Sequence, residues 1–212
     1  MTPEIQIEIA SDVVCPWCYI GKRRLEKALR LLDGEVKAKI VWLPFQLNPG
    51  IPDEGMPRAE YRKAKFGSIE RGRELDARVA HEGSGEGIAF AFDRIERTPN
   101  TRAAHQLIEL AQAQGAGQAV VDALFRAYFE EARNIGDAAV LAEIASANGV
   151  SGWPGRANAT GVAELEDDVR NLGISAVPTF IVDRKLGVSG AHPPQALAAA
   201  IREALASGST PK

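Results

Sequence analysis

Cys15-Pro16-Trp17-Cys18 holds the only two cysteines of this 212-residue chain. The motif stands where the spacing of apolar residues changes from the period of a strand to the period of a helix. That helix is predicted to continue to Leu32, with Gly34 as its stop signal. Pro16 is predicted at the first helical position, where its missing N–H costs nothing. The sequence therefore predicts Cys15 at the N-terminus of the first helix.

Two strands flank this helix in the predicted order. Ile5, Ile7 and Ile9 alternate with polar or small residues, which is the pattern of a strand. Val13-Val14 is predicted to extend the end of this strand toward the cysteines. A second strand is predicted over Val36 to Phe45.

The rest of the chain separates into a helical block and a closing strand pair. Residues 56–171 are predicted to be almost entirely helical, with apolar stripes that form core and carry no chemistry of their own. Thr179–Val182 is predicted as a buried strand, Gly187–Ser189 as its hairpin partner, and Pro193-Pro194 as the start of a last helix. This order indicates an α/β domain into which a helical block is inserted.

Composition excludes several classes of protein. The hydrophobic content of 45% is ordinary for a folded domain, and 25 Lys+Arg against 28 Asp+Glu gives a net charge of −3, too even for a nucleic-acid or acidic-lipid surface. The first residues lack the pattern of a secretory signal, and no run approaches the roughly 20 apolar residues of a membrane span. We therefore expect a cytoplasmic protein with no nucleic-acid or membrane partner, whose cysteines rest as a dithiol.

A cysteine pair at this position indicates thiol-disulfide exchange. The thiolate is the nucleophile in this chemistry, and the N-terminus of a helix favours negative charge. Cys15 is therefore predicted to attack a disulfide, and Cys18, one helical turn further, to resolve the mixed disulfide. Pro16 and Trp17 are expected to shape the site and tune its redox potential.

Three other interpretations of the pair are less favoured. A zinc site needs two further ligands, but there is no second Cys-x-x-Cys, and His81, His105 and His192 do not have ligand spacing. A structural disulfide is disfavoured in a reducing compartment. Inert core cysteines are disfavoured because a proline separates the two at a strand-to-helix junction. No metal site is predicted.

A second feature is Val177-Pro178, which opens the predicted strand far from the cysteines in sequence. Base rates give a cis bond before proline in only about 5–6% of cases. The residues alone therefore predict a trans bond.

Four stretches resemble the FrnE-like branch of the DsbA family, and the match runs in the same order over essentially the whole chain. They read SDVVCPWCYIGK at 11–22, RTPNT at 97–101, GISAVPTF at 173–180 and VSGAHPP at 188–194. The resemblance implies a thioredoxin fold with a large all-helical insertion. Residues 1–50 and 173–212 are then the two thioredoxin-fold halves and 51–172 the insertion, all within one structural unit.

The resemblance also implies roles for individual residues. Cys15 is implied as the nucleophile and Cys18 as the resolving cysteine of a thiol-disulfide oxidoreductase. Pro178 is implied to be cis and to pack beside the cysteines, and the backbone of Val177 is implied to pair with an incoming peptide or glutathione. Because such pairing recognises the main chain of the substrate and not its side chains, it implies broad substrate tolerance.

Two further residues are weaker candidates for the site. Helix capping explains Asn100, but similarity to glutathione-using isomerases and kappa-class transferases keeps it as a candidate substrate contact. His192 is interpreted as a surface-loop histidine, with a position facing the site as the alternative. The segment around Trp153-Pro154-Gly155 matches the family poorly, so the helix there is expected to start differently.

The leading functional hypothesis is a cytosolic reductase or disulfide isomerase acting on protein or low-molecular-weight thiols and disulfides, with a cellular thiol reductant. No tightly bound cofactor is expected, and glutathione is a candidate redox partner. The alternative is a glutathione-dependent enzyme of the 2-hydroxychromene-2-carboxylate isomerase or kappa-class transferase type, whose members, as the resemblance suggests, carry Ser in place of Cys15. A chaperone-like binding module is a third hypothesis, and a homodimer is left open because relatives are often dimeric.

Overall fold

The computed structural model describes residues 2–207, in which fourteen helices and strands follow one another along the chain. In order they are β1 Glu4–Ser11, α1 Pro16–Leu31, β2 Lys37–Pro44, β3 Met56–Pro57, α2 Arg58–Phe66, α3 Ile69–Ser84, β4 Arg97–Thr98, α4 Arg102–Ala113, α5 Gly117–Phe129, α6 Ala138–Ala147, α7 Ala159–Asn171, β5 Thr179–Val182, β6 Leu186–Ser189 and α8 Pro194–Ser207.

The first strand lies inside a four-stranded sheet of order β2-β1-β5-β6. It pairs in parallel with β2, and it pairs antiparallel with β5, where Ile9 is opposite Phe180. A parallel pair needs a crossover connection, and α1 supplies it. The N-terminus of α1 therefore follows the carboxyl end of an interior strand, beside the strand that begins just after Pro178.

Hydrophobic residues on the two faces of this sheet enter two separate clusters. Ile5, Ile7 and Ile9 are almost completely buried in the main cluster, which also contains residues of α1, α5 and α8. Ala10, one position out of phase, packs in a second cluster that includes Val169 of α7. The alternation predicted for β1 is confirmed, and it explains why helices pack on both sides.

The predicted thioredoxin-like α/β fold with a helical insertion is confirmed, with one addition. Six helices, α2 to α7, lie between β2 and β5, but β3 and β4 also pair antiparallel, with Met56 opposite Thr98. Strands of two residues are too short to show a period of two, so the spacing of apolar residues does not predict them. Thr98 accordingly lies in a strand, and α4 begins at Arg102.

The structure corrects the predicted end of β1 and gives the start of the helix that follows Trp153-Pro154. Val13-Val14 does not extend β1, because the N–H of Cys15 donates to the Asp12 carbonyl (2.9 Å) and closes a turn there. The helix after Trp153-Pro154 starts only at Ala159, where the Asn158 side chain accepts from the Gly161 N–H (2.9 Å). The Trp153–Pro154 bond is cis.

None of the helices within residues 2–207 combines the length and the hydropathy that crossing a membrane requires.

Aromatic and charged side chains of α1 attach it to the insertion. The Tyr19 ring stacks on Phe125 of α5 at a centroid distance of 4.9 Å. The buried ammonium of Lys22 forms ion pairs with Glu26 and, at 2.7 Å, with Asp122 of α5. The helix that carries the cysteine pair is therefore held by the insertion as well as by the sheet.

Arg24 connects α1 to two loops. Its Nε donates to Glu86 (2.8 Å) in the connector after α3, and its Nη1 donates to the carbonyl of Ala191 (2.6 Å) after β6. Lys27 forms a second ion pair with Glu86 at 2.6 Å. Glu86 therefore neutralises two cations of α1 and keeps Arg24 directed toward the Ala191 loop.

We expect Glu86→Gln to lower the free energy of unfolding by about 1 kcal/mol at neutral pH, since the ion pairs are partly screened by solvent. Burial acts to raise the pKa of Glu86, but Lys27 and Arg24 outweigh it and hold this pKa below its ordinary value. A lowered carboxylate pKa stabilises the fold fully above the unfolded-state value, about 4.3, and the contribution is lost as pH falls through the folded-state value. The difference between wild type and variant should therefore be constant near neutral pH and shrink below about pH 5.

Urea unfolding across this pH range measures the effect. Glu82→Gln is the matched control, since Glu82 makes a single ion pair with Arg24 and is more exposed than Glu86. A difference between wild type and Glu86→Gln that persists undiminished at pH 3 would contradict this assignment.

Candidate active site

The two cysteines lie at the beginning of α1, as predicted. Cys15 is the N-cap residue in extended conformation (φ −91°, ψ 112°), and Pro16 follows at the first helical position. The Cys15 carbonyl accepts from the N–H of Cys18 at 3.0 Å, which starts the helix. Both thiols are free, and they are 5% and 1% exposed respectively. The pair thus has one member at the helix end and one inside the first turn.

The environment of Cys18 differs from that of its partner. Burial, and then the adjacent Cys15 sulfur, raise the pKa of the Cys18 thiol well above its ordinary value. The Ser11 side chain and the Asp12 backbone act in the opposite direction, with smaller effect. The Ser11 hydroxyl itself makes no hydrogen bond within residues 2–207. Cys18 is therefore a thiol that must lose a proton before it can attack.

Val177-Pro178 lies directly across from Cys15. The Cys15 Sγ is 3.7 Å from the Val177 carbonyl oxygen, and the Val177–Pro178 bond is cis. The trans bond predicted from base rates is wrong here, whereas the cis bond implied by the family resemblance is what the structure has. Residues 162 positions apart in sequence are thus brought into contact.

Two glycines place the Pro178 loop against α1. Gly190, with φ at +100°, donates its N–H to the Pro178 carbonyl (2.8 Å), and this positive φ favours glycine. Gly21 faces the loop from α1, where a Cβ would lie 2.9 Å from the Cγ of Pro178 and 3.2 Å from the Phe180 ring. Only a residue without a side chain allows this close approach.

Pro16 and Trp17 occupy the two positions between the cysteines. Pro16 is half-buried, while 39% of Trp17 is exposed, which is high for a large apolar residue. The aromatic ring is therefore accessible immediately beside Cys15. The roles predicted for these two residues stay predictions.

Asn100 lies in the insertion, with both ends of its amide engaged. Its Oδ1 accepts from the N–H of Arg102 (2.9 Å) at the start of α4, and its Nδ2 donates to the carbonyl of Ile51 (2.7 Å). This arrangement fits the capping interpretation. Its predicted contact with substrate stays a prediction.

His192 is exposed on the loop after β6. Its Nε2 lies 2.9 Å from the carbonyl oxygen of Ser189, the last residue of β6. This placement fits the surface-loop interpretation, and a role facing the substrate stays a prediction.

Two buried polar residues that the sequence did not indicate, Asp12 and His105, lie close to each other near the start of α1. Asp12 is fully buried, and its Oδ2 accepts from the N–H of Leu47 (2.8 Å). The His105 Nε2, from α4, lies 3.6 Å from the Asp12 Oδ1. An acidic residue between a buried strand and a cysteine was a usable signal for Asp12. Nothing in the sequence pointed to His105, because its approach depends on how the insertion packs.

Within residues 2–207, no group of three or more His, Cys, Asp or Glu side chains is arranged to hold a metal ion.

Comparison with known proteins agrees with this geometry. The profile of the DSBA-like thioredoxin domain matches residues 6–202. The chain belongs to the DsbA-like family. Its assignment to the FrnE-like branch of that family stays a prediction.

Among relatives of this DsbA-like protein, the crystal structure of a probable DsbA oxidoreductase, SCO1869 from Streptomyces coelicolor, is 31% identical with a TM-score of 0.88, covering 98% of this chain and 93% of that one. The uncharacterised protein YwbO of Bacillus subtilis is 27% identical over 84% of this chain and 86% of its own. The cytosolic disulfide reductase DsbM from Pseudomonas aeruginosa, solved with GSH, shares the fold at 20% identity and a TM-score of 0.64, with 95% and 99% of the chains covered.

Proposed function

We propose that this DsbA-like protein is a thiol-disulfide oxidoreductase in which Cys15 attacks and Cys18 resolves. The observation that carries the proposal is the asymmetry of the pair. Cys15 caps a helix and faces Val177 beside a cis proline, whereas Cys18 is a buried thiol of raised pKa. The outer sulfur is placed to meet a substrate, and the inner one to meet only Cys15.

The reaction balances with the two cysteines alone. The Cys15 thiolate attacks one sulfur of a substrate disulfide, forms a mixed disulfide and releases the first substrate thiolate, which takes a proton from solvent. Cys18 then loses its proton and attacks the Cys15 sulfur, which forms the Cys15–Cys18 disulfide and releases the second substrate thiolate. Two electrons have passed to the substrate, and a thiol reductant restores the dithiol.

Substrate binding is proposed to use the main chain of Val177. Its carbonyl already lies beside the Cys15 sulfur, and an extended peptide or glutathione backbone pairing there would present its own sulfur to Cys15. The exposed Trp17 ring supplies an apolar surface next to this position. Recognition of this kind accepts many sequences.

We place the protein in the cytoplasm as a reductase or isomerase, with glutathione as a redox partner. DsbM, which shares this fold, is described as a cytosolic disulfide reductase and was solved with GSH. The presence of Cys18 argues against the alternative function, a glutathione-dependent enzyme of the 2-hydroxychromene-2-carboxylate isomerase or kappa-class transferase type. Such an enzyme uses glutathione without a redox cycle and has no need of a resolving thiol.

A redox titration of the Cys15–Cys18 couple against glutathione tests whether the protein is a reductase or isomerase and not an oxidase. Reductases and isomerases of thioredoxin type have potentials from about −270 to −180 mV, and we expect a midpoint in that range. The fraction of disulfide at each ratio of oxidised to reduced glutathione is measured by alkylation and mass spectrometry. A midpoint near about −120 mV, the value of a strong periplasmic oxidant, would overturn the proposed direction.

A further inference from the structure

A cleft of about 650 Å³ opens in the helical insertion. Its lining residues all lie between Arg58 and Glu96, in α2, in α3 and in the segment before β4 that includes Phe90 and Phe92. The volume is within the range of small-molecule sites, about 300–1,000 Å³. The proposed thiol-disulfide exchange uses none of these residues. The cleft therefore has the size of a ligand site that the cysteine chemistry does not account for.

Two arginines in the wall of the cleft share one carboxylate. The Arg58 Nη2 lies 3.0 Å from the Asp76 Oδ2, and the Arg62 Nη2 lies 2.7 Å from the Asp76 Oδ1. Neither arginine pairs with a second carboxylate in the part of the chain that the structure describes. The Asp76 cluster, which consists of Arg58, Arg62 and Asp76, therefore carries one net positive charge.

This charge is only partly screened by water. The side chains of Arg58, Arg62 and Asp76 are 12%, 14% and 17% exposed. Burial lowers the pKa of the Arg62 guanidinium and raises the pKa of the Asp76 carboxyl, although the ion pair between them acts in the opposite direction on both groups. Desolvation of the Asp76 cluster is thus incompletely compensated, and one further anion would compensate it.

The wall beside the Asp76 cluster is apolar and partly aromatic. The rings of Phe90 and Phe92 stack at a centroid distance of 4.7 Å, and the Arg58 Cζ lies over the Phe92 ring, 5.3 Å from its centroid. Ile69 and Ile95 also line the cleft, and Ile69 is 37% exposed. A ligand that fills this space therefore needs an apolar body attached to its anionic group.

The mouth of the cleft limits the charge that a ligand can carry. Asp93, Glu96 and Arg73 line the cleft with exposed side chains, so they lie where it opens to solvent. Together they carry one net negative charge, opposite in sign to the Asp76 cluster. A second negative charge on a ligand would face these carboxylates, and such repulsion selects against it. The cleft accordingly favours a monoanion over a dianion or a nucleotide.

We propose that this cleft binds a small aromatic monocarboxylate, whose carboxylate pairs with the Asp76 cluster and whose body lies against Phe90 and Phe92. An aromatic body is favoured over a flexible alkyl chain, because a rigid body loses less conformational entropy on binding. Binding is non-covalent and involves neither cysteine. The site is therefore independent of the proposed oxidoreductase reaction.

Isothermal titration calorimetry of the reduced full-length protein with 2-naphthoate tests the chemistry of the ligand. We expect a dissociation constant below about 1 mM. The matched ligands are 2-naphthamide, which has the same body without the charge, and 2,6-naphthalenedicarboxylate, which has a second charge. Each should bind at least about tenfold more weakly than 2-naphthoate. Equal affinity for the three ligands, or no binding of 2-naphthoate at millimolar concentration, overturns the inference.

Ala77→Glu tests where the ligand binds. Ala77 is exposed on α3 and lines the cleft, and glutamate is a good helix former, so the substitution should leave the fold intact. Its carboxylate would repel 2-naphthoate and weaken binding at least about tenfold relative to Ala77→Gln, which adds nearly the same volume without the charge. Equal affinity of the two variants for 2-naphthoate contradicts binding in this cleft.

Arg62→Gln removes one cation of the Asp76 cluster and should weaken the binding of 2-naphthoate by a similar factor. Arg71→Gln is the matched control, because Arg71 lies on α3, pairs with Glu74 and does not line the cleft. If Arg62→Gln fails to fold by circular dichroism, the two Ala77 variants carry the test. Cys15→Ser should bind 2-naphthoate as tightly as the wild type. Equal loss in Arg62→Gln and Arg71→Gln, or any loss in Cys15→Ser, overturns the proposed location of the site.

Discussion

Cys15→Ser is expected to reduce the turnover of insulin or glutathione-disulfide reduction by at least about a thousandfold, the scale of losing a catalytic nucleophile. A serine hydroxyl at the same N-cap position is almost fully protonated at neutral pH and does not attack disulfides. Cys18 cannot substitute for it, because its sulfur is buried within the first turn and its pKa is raised by that burial. Turnover is measured with the purified protein at saturating reductant.

Cys18→Ser is the matched variant, since it makes the same chemical change one turn further along α1. We expect it to keep the first step and to accumulate a mixed disulfide on Cys15, because no second thiol is in reach to release the substrate. Intact-protein mass spectrometry after reaction with oxidised glutathione should show one added glutathione per chain. Turnover by Cys15→Ser equal to that of the wild type would contradict the proposed function, as would a glutathione adduct that forms on Cys18 in Cys15→Ser but not on Cys15 in Cys18→Ser.

Local signals in the sequence were sufficient to predict the redox pair and its surroundings along the chain. The change of period at Cys15 and the proline at the next position depend only on neighbouring residues, so α1 and β1 were predicted with small errors at their ends. Thr179–Val182 was predicted with its observed bounds because short buried strands after a proline have a distinct composition. Such features do not depend on how distant segments pack.

Features that depend on distant packing were not predictable in the same way. The cis bond before Pro178 lies against α1 and the Gly190 loop, which are distant in sequence, and the residues alone predicted trans. The approach of His105 to Asp12 requires α4 of the insertion to pack against the sheet, close to the turn that follows β1. The resemblance to a known family predicted the cis bond, because a family carries information about packing that a single sequence does not display.

Gly21→Val is expected to lower the free energy of unfolding by about 3 kcal/mol, the upper range for inserting carbon atoms into a packed interior. Gly21 is buried, and a Cβ there would lie 2.9 Å from Pro178, 3.2 Å from Phe180 and 3.6 Å from Ala191. These neighbours are a proline ring, an aromatic ring and a residue fixed by Arg24, so none can turn aside as a long flexible side chain would. Urea unfolding gives the change in free energy.

Gly21→Val should also slow the attack of Cys15 on the aromatic disulfide DTNB, measured by release of the coloured thiolate. Relief of the clash requires α1 and the Pro178 loop to separate, and Cys15 then loses its position against Val177. Gly21→Ala should have a smaller effect of the same sign, since the gain in helix propensity of about 1 kcal/mol opposes a smaller clash. Gly187→Val is the matched control. Gly187 lies in β6 with no atom within 4 Å of its built Cβ, and valine suits an extended strand, so its stability should be unchanged or slightly increased. If Gly21→Val were as stable and as reactive as Gly187→Val, α1 and the Pro178 loop would not be in the close contact that places Cys15 opposite Val177.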